Sequence, residues 1–182
     1  MSPKSDPRSR RTRQSIEEAF LTLYRRKRFN DITVSDITNE AGINRATFYK
    51  HYRDKFDLYD SYIQQCFDEH LLRYLHPDAQ LNKQNFRSLV YATILFVKDW
   101  RARRLFVTEQ TDSIIEACVQ KTVLDKLMCW IEPNYMKGPC DAGAEVAATA
   151  VSWAIFGLGV RLAQQKTNID IGDVTDEIVS ML

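Results

Sequence analysis

The chain has 182 residues, 45% of them hydrophobic and 27% charged. That composition suits a soluble globular protein of one full domain and a smaller second one, and it excludes a disordered or fibrous chain. The net charge of +1 hides an asymmetry: residues 1–55 carry 13 basic and 7 acidic side chains, residues 56–182 carry 12 and 17, so a basic module suited to a polyanion adjoins an acidic body.

Helical periodicity dominates, no convincing period-2 strand occurs, and the pattern predicts an all-α fold. Residues 1–6 read as an unstructured lead-in. Asp6-Pro7 supplies an N-cap and a proline at the first helical position, where its missing N–H costs nothing. Ile16, Ala19, Phe20 and Leu23 then mark the stripe of a first helix that ends near Arg28. Thr33 caps a short second helix with Asp36 in the capping-box position. Ile37 and Ala41 share its inner face, and Gly42 marks a turn that needs positive φ. Asn44 caps a third helix, Arg45 to Tyr52, and Asp54 caps a fourth that starts at Lys55 and runs towards His76-Pro77.

After the break at 77–82, Phe86, Leu89, Val90, Ile94 and Val97 form one stripe, ending around Trp100. A kink or short helix covers Arg101 to Glu109, and Ile114 to Leu127 mark another helix, closed by Pro133. Asn134 to Asp141 read as a loop, and the last two helices span about 142–165 and 172–181. The apolar run Val146–Val160 is fifteen residues, short of the ~20 needed to cross a bilayer, and predicts a buried helix rather than a membrane span.

Residues 33–55, TVSDITNEAGINRATFYKHYRDK, have the form of a helix-turn-helix. The first helix braces the second, whose N-terminal residues would meet base edges in the major groove. Its outer face offers Asn44, Arg45, Ala46, Thr47, Lys50 and His51, while Ile37, Ala41, Ile43 and Phe48 hold the pair together. Arg45 or Lys50 can donate to guanine, and Thr47 can meet a thymine methyl or a phosphate. Tyr49, Lys50 and Lys55 are candidate phosphate contacts, Lys55 helped by the positive end of its helix dipole, and Thr33 is a further candidate DNA contact. Arg8, Arg10, Arg11 and Arg13 could reach a neighbouring backbone or minor groove, whereas Arg25-Arg26-Lys27-Arg28 read first as a helix C-terminus satisfying its dipole.

This segment resembles the DNA-binding head of the TetR family of bacterial regulators. The resemblance rests on Thr33-Val34-Ser35-Asp36-Ile37, Ala41-Gly42-Ile43, Thr47-Phe48-Tyr49, His51-Tyr52 and Lys55-Phe56-Asp57-Leu58, at matching spacing over about residues 10–62. Tyr52 stands where the family commonly has phenylalanine, and Asp57 where it has glutamate. The resemblance implies a three-helix DNA-binding domain over 7–55 and a helical effector-binding and dimerisation domain over 56–182, about nine helices in all. It further implies a cytoplasmic homodimer, joined by the last two helices of each subunit, that holds a double-stranded pseudo-palindromic operator and is a repressor released by a small-molecule effector. The alternative is a regulator controlled by a protein partner.

Ala147, Val151, Ala154 and Leu158, with Val174 and Ile178, are the expected dimer contacts, in a stretch whose many small residues let helices approach closely. Tyr62, Phe67, Tyr91, Phe96, Trp100, Trp130 and Trp153 could line an effector cavity or equally form solid core. Cys66 and His70 stand at i, i+4 without a third ligand nearby, so no metal site is expected. Cys118 and Cys129 read as reduced core thiols, and the polar, basic start of the chain does not read as a signal peptide. No nucleophile–base pair, paired carboxylates or phosphate-binding glycine loop appears, and Gly157-Leu158-Gly159 lacks the preceding strand of a dinucleotide site. Neither an enzyme nor a cofactor is expected. A helical enzyme or transport protein with a basic surface is the remaining rival, and it predicts no sequence preference on DNA.

Overall fold

The computed structural model describes residues 7–102, 109–131, 142–164 and 170–181. Among the described residues there are eight α-helices, one short 3-10 turn and no strand. Asp6, Cys140, the loop over 134–141 and most of the segment 101–109 lie outside them.

The chain divides into two compact units. The first comprises the chain up to Ile63 and the start of α6 (Glu109–Ile131) as far as Ile114. Its elements are α1 (Pro7–Tyr24), the 3-10 turn Phe29–Asp31, α2 (Val34–Glu40), α3 (Arg45–Tyr49) and the beginning of α4 (Lys55–Leu71). The division therefore falls inside α4, eight residues beyond the boundary expected at 55, because the first turns of α4 pack on α1.

The expected caps at Thr33, Asn44 and Asp54 form, and the one at Asp6 lies outside the described residues. The Thr33 hydroxyl accepts from Asp36 N–H while the Asp36 carboxylate accepts from Thr33 N–H, which is the reciprocal capping box. The Asn44 side chain accepts from Ala46 N–H at 2.8 Å, and Asp54 accepts from Phe56 and Asp57 N–H. Gly42 has φ +65°, the left-handed conformation that the turn between α2 and α3 requires. The predicted stripe Ile16, Ala19, Phe20 and Leu23 is buried. Around it, Phe20, Tyr24, Phe29 and Tyr59 pack ring against ring at 5.1–6.4 Å. Each such pair adds about 0.5–1.5 kcal/mol beyond the burial itself.

The second unit holds the rest of α4, α5 (Lys83–Ala102), α6 from Ile115, α7 (Ala142–Gln164) and α8 (Ile171–Met181). Helix α5 is its spine and packs on both α7 and α8. Close approach of α7 to α5 depends on Gly159: a Cβ there would lie 2.9 Å from Val97 Cβ and 3.4 Å from the Ile94 Cα. Arg87 on α5 forms a bidentate ion pair with Asp176 on α8.

Helix α7 runs 23 residues, longer than the apolar run read from the sequence, and by length and composition alone it could cross a membrane. One face is packed, with Ala148, Ser152, Ile155, Phe156, Gly159 and Leu162 buried. The other face is open and apolar. Val146 is 70% and Trp153 51% exposed, and Ala147, Ala150, Ala154 and Gly157 are exposed beside them.

Candidate nucleic-acid interface

Helix α3 is short, and two opposed demands define it. Phe48, fully buried, and Tyr52, 4% exposed, anchor one side in the first unit. Hydrogen bonds from the N–H groups of Lys50, His51 and Tyr52 to the carbonyls of Thr47 and Phe48 extend the turn past the helix end. The other side is open. Asn44, Arg45, Ala46, Tyr49 and Lys50 are exposed, and Thr47 and His51 are half-buried. Arg45 Nη2 donates to Tyr49 Oη at 3.1 Å, which aligns a guanidinium and a phenol on this free face. Nothing apolar of comparable size except Tyr49 stands among them, so the face suits a hydrated, anionic surface rather than a protein core.

Three expected contacts have other employment. Lys55 Nζ donates to the carbonyls of Phe29, Asn30 and Ile32 at 2.9, 3.1 and 2.8 Å, and it lies 4.8 Å from the centre of the Phe29 ring. Three bonds use every N–H of an ammonium, so Lys55 clamps the connector between α1 and α2 and has no donor left for a phosphate. Burial pushes its pKa below the ordinary lysine value, with Asp31 opposing. The Thr33 hydroxyl proton goes to Asp36 Oδ2 at 2.8 Å, so this residue braces α2. Arg13 bonds Glu17 at 3.0 Å and Ser61 Oγ at 2.5 Å and lies over the Tyr52 ring, while Tyr52 Oη donates to Glu17 at 2.6 Å. This network joins α1, the turn after α3 and α4. Desolvation, then the Glu17 carboxylate, raises the Tyr52 pKa and keeps the phenol protonated.

Sequence reasoning expected the Thr33–Asp36 box and missed the Lys55 clamp and the Arg13 network. The signal for Lys55 was its position three residues after a fully formed helix-turn-helix, yet the partners are backbone carbonyls 23 to 26 residues earlier, which no spacing rule reveals. Arg10, Arg11, Arg25, Arg26 and Arg28 are exposed, and Lys27 pairs with Asp36 at 3.3 Å.

Six of the seven aromatic residues expected at a cavity or in the core lie in the second unit. Phe67 and Phe96 pack at 4.8 Å, Trp100 stacks on Phe96, and the His70 ring closes the group while its Nε2 lies 3.0 Å from Ala92 O. Tyr91 meets Tyr74, and Trp130 Nε1 donates to Ala79 O at 2.6 Å. Trp153 is on the open face of α7, and Tyr62 is half-buried in the first unit. Among the described residues of the second unit, none of the seven lines the groove between α4 and α6 or the one beside Phe86 and Leu127. Of the expected dimer residues, Ala147 and Ala154 are exposed on α7, Val151 and Leu158 are half-buried there, and Val174 and Ile178 are half-buried on α8. No grouping of three or more metal-ligating side chains occurs among the described residues. Cys118 is buried with its Sγ 3.4 Å from Gln64 Oε1, whereas Cys129 is exposed rather than in the core.

Residues 18–62 match the family model described as bacterial regulatory proteins, tetR family. An uncharacterized HTH-type transcriptional regulator of Bacillus subtilis (strain 168), YxbF, is 44% identical over 65 residues, which are 35% of this chain and 17% of that protein. The chain thus spans less than a fifth of that relative. The HTH-type negative transcriptional regulator of the biofilm operon icaADBC, IcaR of Staphylococcus epidermidis, is 25% identical over 135 residues, covering 68% of this chain and 71% of that one. A tetR-family transcriptional regulator from Streptomyces coelicolor shares the fold at a TM-score of 0.53 and 15% identity, with 93% of this chain and 78% of that chain covered.

Proposed function

We propose that this chain, a transcriptional regulator of the TetR family, is a cytoplasmic, non-catalytic homodimer that represses by holding a pseudo-palindromic operator. Each protomer lays α3 in the major groove of one half-site, with Asn44, Arg45, Ala46 and Thr47 towards base edges and Tyr49, Lys50 and His51 towards the backbone. The observation that carries this reading is the open face of α3, which concentrates cationic and hydrogen-bonding groups on a helix whose other face is fixed by Phe48 and Tyr52.

Dimerisation is supported by the open face of α7. An apolar stripe containing Val146, Ala150, Trp153, Ala154 and Gly157 is costly in water and suits close packing against a second copy. Repression is supported by the likeness to IcaR, whose own description is that of a negative regulator. An effector that favours the DNA-free form lowers operator affinity by the same factor that operator lowers effector affinity.

The test has two arms. Selection of the purified chain against random duplex DNA should enrich an inverted repeat, and enrichment of nothing beyond general duplex binding refutes sequence-specific regulation. Ala154→Glu places a carboxylate on the α7 stripe and should turn the dimer into a monomer in sedimentation, with a large loss of operator affinity. A wild-type chain that sediments as a monomer sinks the dimeric reading.

A further inference from the structure

The chain leaves α1 through four consecutive basic residues, Arg25 to Arg28. Cations at a helix C-terminus ordinarily hold its last carbonyls. Here backbone groups do that instead. Arg25 N–H donates to Leu21 O at 3.1 Å, and the N–H groups of Arg26 and Lys27 both donate to Leu23 O at 2.9 Å. Lys27 pairs with Asp36 at 3.3 Å. The side chains of Arg25, Arg26 and Arg28 are exposed and have neither an ion pair nor a hydrogen bond among the described residues.

The backbone that carries them is fixed. Phe29 and Ile32 are fully buried, and the Lys55 ammonium holds the carbonyls of Phe29, Asn30 and Ile32. The Lys27–Asp36 pair ties the run to the first turn of α2. Residues 25–36 carry four basic and two acidic side chains. Both acidic groups are engaged, Asp36 by Lys27 and the Thr33 cap, Asp31 by the charge of Lys55. What remains is three unpaired guanidinium groups on a preset backbone. A guanidinium matches the oxygens of a phosphate, and a preset backbone lowers the ordering cost of binding one. In a helix-turn-helix the first helix of the pair, here α2, crosses the DNA backbone, so cations tied to its first turn stand by phosphates rather than base edges.

We propose that Arg25, Arg26 and Arg28 form a second phosphate-binding surface of the head, which grips the duplex backbone outside the contacts of α3 and adds affinity without sequence preference. It supplies the backbone charge that Lys55, with every donor used, does not. The surface rests on the DNA-binding reading of α3.

The test compares the full chain with a variant carrying Arg25→Gln, Arg26→Gln and Arg28→Gln, by fluorescence anisotropy at a series of salt concentrations. Two duplexes are used, the selected operator and a random sequence. The slope of log affinity against log salt should become shallower by about 0.9 for each arginine that meets a phosphate, about 2.7 per head for all three. The ratio of operator to random-duplex affinity should not change. Interference by phosphate ethylation should vanish at one or more positions in each half-site. Each single glutamine variant reads the same slope if the triple one does not fold.

Arg25→Lys, Arg26→Lys and Arg28→Lys together keep the charges and should keep the slope. Arg73→Gln, Lys83→Gln and Lys121→Gln, at exposed positions of the second unit, remove the same charge and should alter neither slope nor interference. An unchanged slope or an unchanged interference pattern in the folded glutamine variant overturns the surface. So does a lysine variant that loses slope as the glutamine one does, or a second-unit variant that matches it. Loss of binding to phosphatidylglycerol vesicles without loss of DNA slope gives the arginines to a lipid and also overturns it. A chain that enriches no repeat, yet shows the slope difference on random duplex, overturns the repressor reading alone. One that enriches a repeat and shows no difference overturns the arginine surface alone.

Discussion

Replacing Lys55 with methionine separates a clamp from a phosphate contact. The substitution keeps an unbranched stem as far as Cε and removes the ammonium that joins three carbonyls. Phe29 O retains a second donor, the Ile32 N–H at 3.2 Å, and Asn30 is exposed, so water can serve its carbonyl. Ile32 is fully buried, and its carbonyl is the one left without a partner. An orphaned buried carbonyl costs about 1–3 kcal/mol. Loss of the cation over the Phe29 ring adds about 0.5–1 kcal/mol, and relief from burying a charge offsets part of the total. A net loss of about 2 kcal/mol corresponds to a fall in melting temperature of roughly 8–16 °C for a unit of this size. Thermal unfolding followed by circular dichroism measures this, and fluorescence anisotropy on the selected operator between low and moderate salt measures the other quantity. Below the lowered transition the salt slope should match that of the wild type. An unchanged melting temperature together with a slope shallower by about 0.9 per head would refute the clamp and restore the phosphate contact.

Four further substitutions have defined outcomes. Lys50→Ala, at an exposed position, should leave the melting curve alone and reduce the salt slope of operator binding by about 0.9 per head, since one phosphate contact is lost; an unaltered slope removes Lys50 from the interface. Gly159→Ala drives a Cβ against Val97 and should cost about 1–3 kcal/mol in urea unfolding. Gly157→Ala meets no atom within 4 Å in the protomer, so its effect should appear in dimer dissociation rather than as a core clash. In acid, the Thr33 hydroxyl and backbone N–H hold the Asp36 pKa below its usual 3.8, and the Arg53 side chain and N–H do the same for Asp57. Both groups therefore contribute stability that is complete above the unfolded carboxylate value and lost as pH falls through the depressed folded ones. Asp36→Asn should flatten that acid limb in a pH series of melting temperatures, and an identical limb in the variant would dismiss Asp36 as a source of it.

The head was legible because its rules are local. Thr33 and Asp36 lie three residues apart, Asn44 caps two residues ahead, and Gly42 needs only its own φ, so neighbours in sequence fix them regardless of the rest of the chain. The helix ends were less well placed. The first helix stops at Tyr24 rather than near Arg28, and α4 stops at Leu71 rather than near His76. In each case the apolar pattern runs on past the last helical residue, with Phe29 and Leu75 buried by turns instead.

The sequence by itself determined the all-helical class, the helix-turn-helix with its caps, and the open face of α3, since periods of 3.6 residues and capping residues act over one or two turns. Tertiary structure alone decided which polar side chains were free. Lys55 and Arg13 looked like hands held out to DNA, yet they hold the carbonyls, carboxylate and hydroxyl that folding brings to them. It likewise decided that Phe67 and Phe96 close into core while a groove opens beside Asp68. Whether a donor is spare, or a space is filled, depends on atoms far away along the chain, and a linear pattern does not record how those approach.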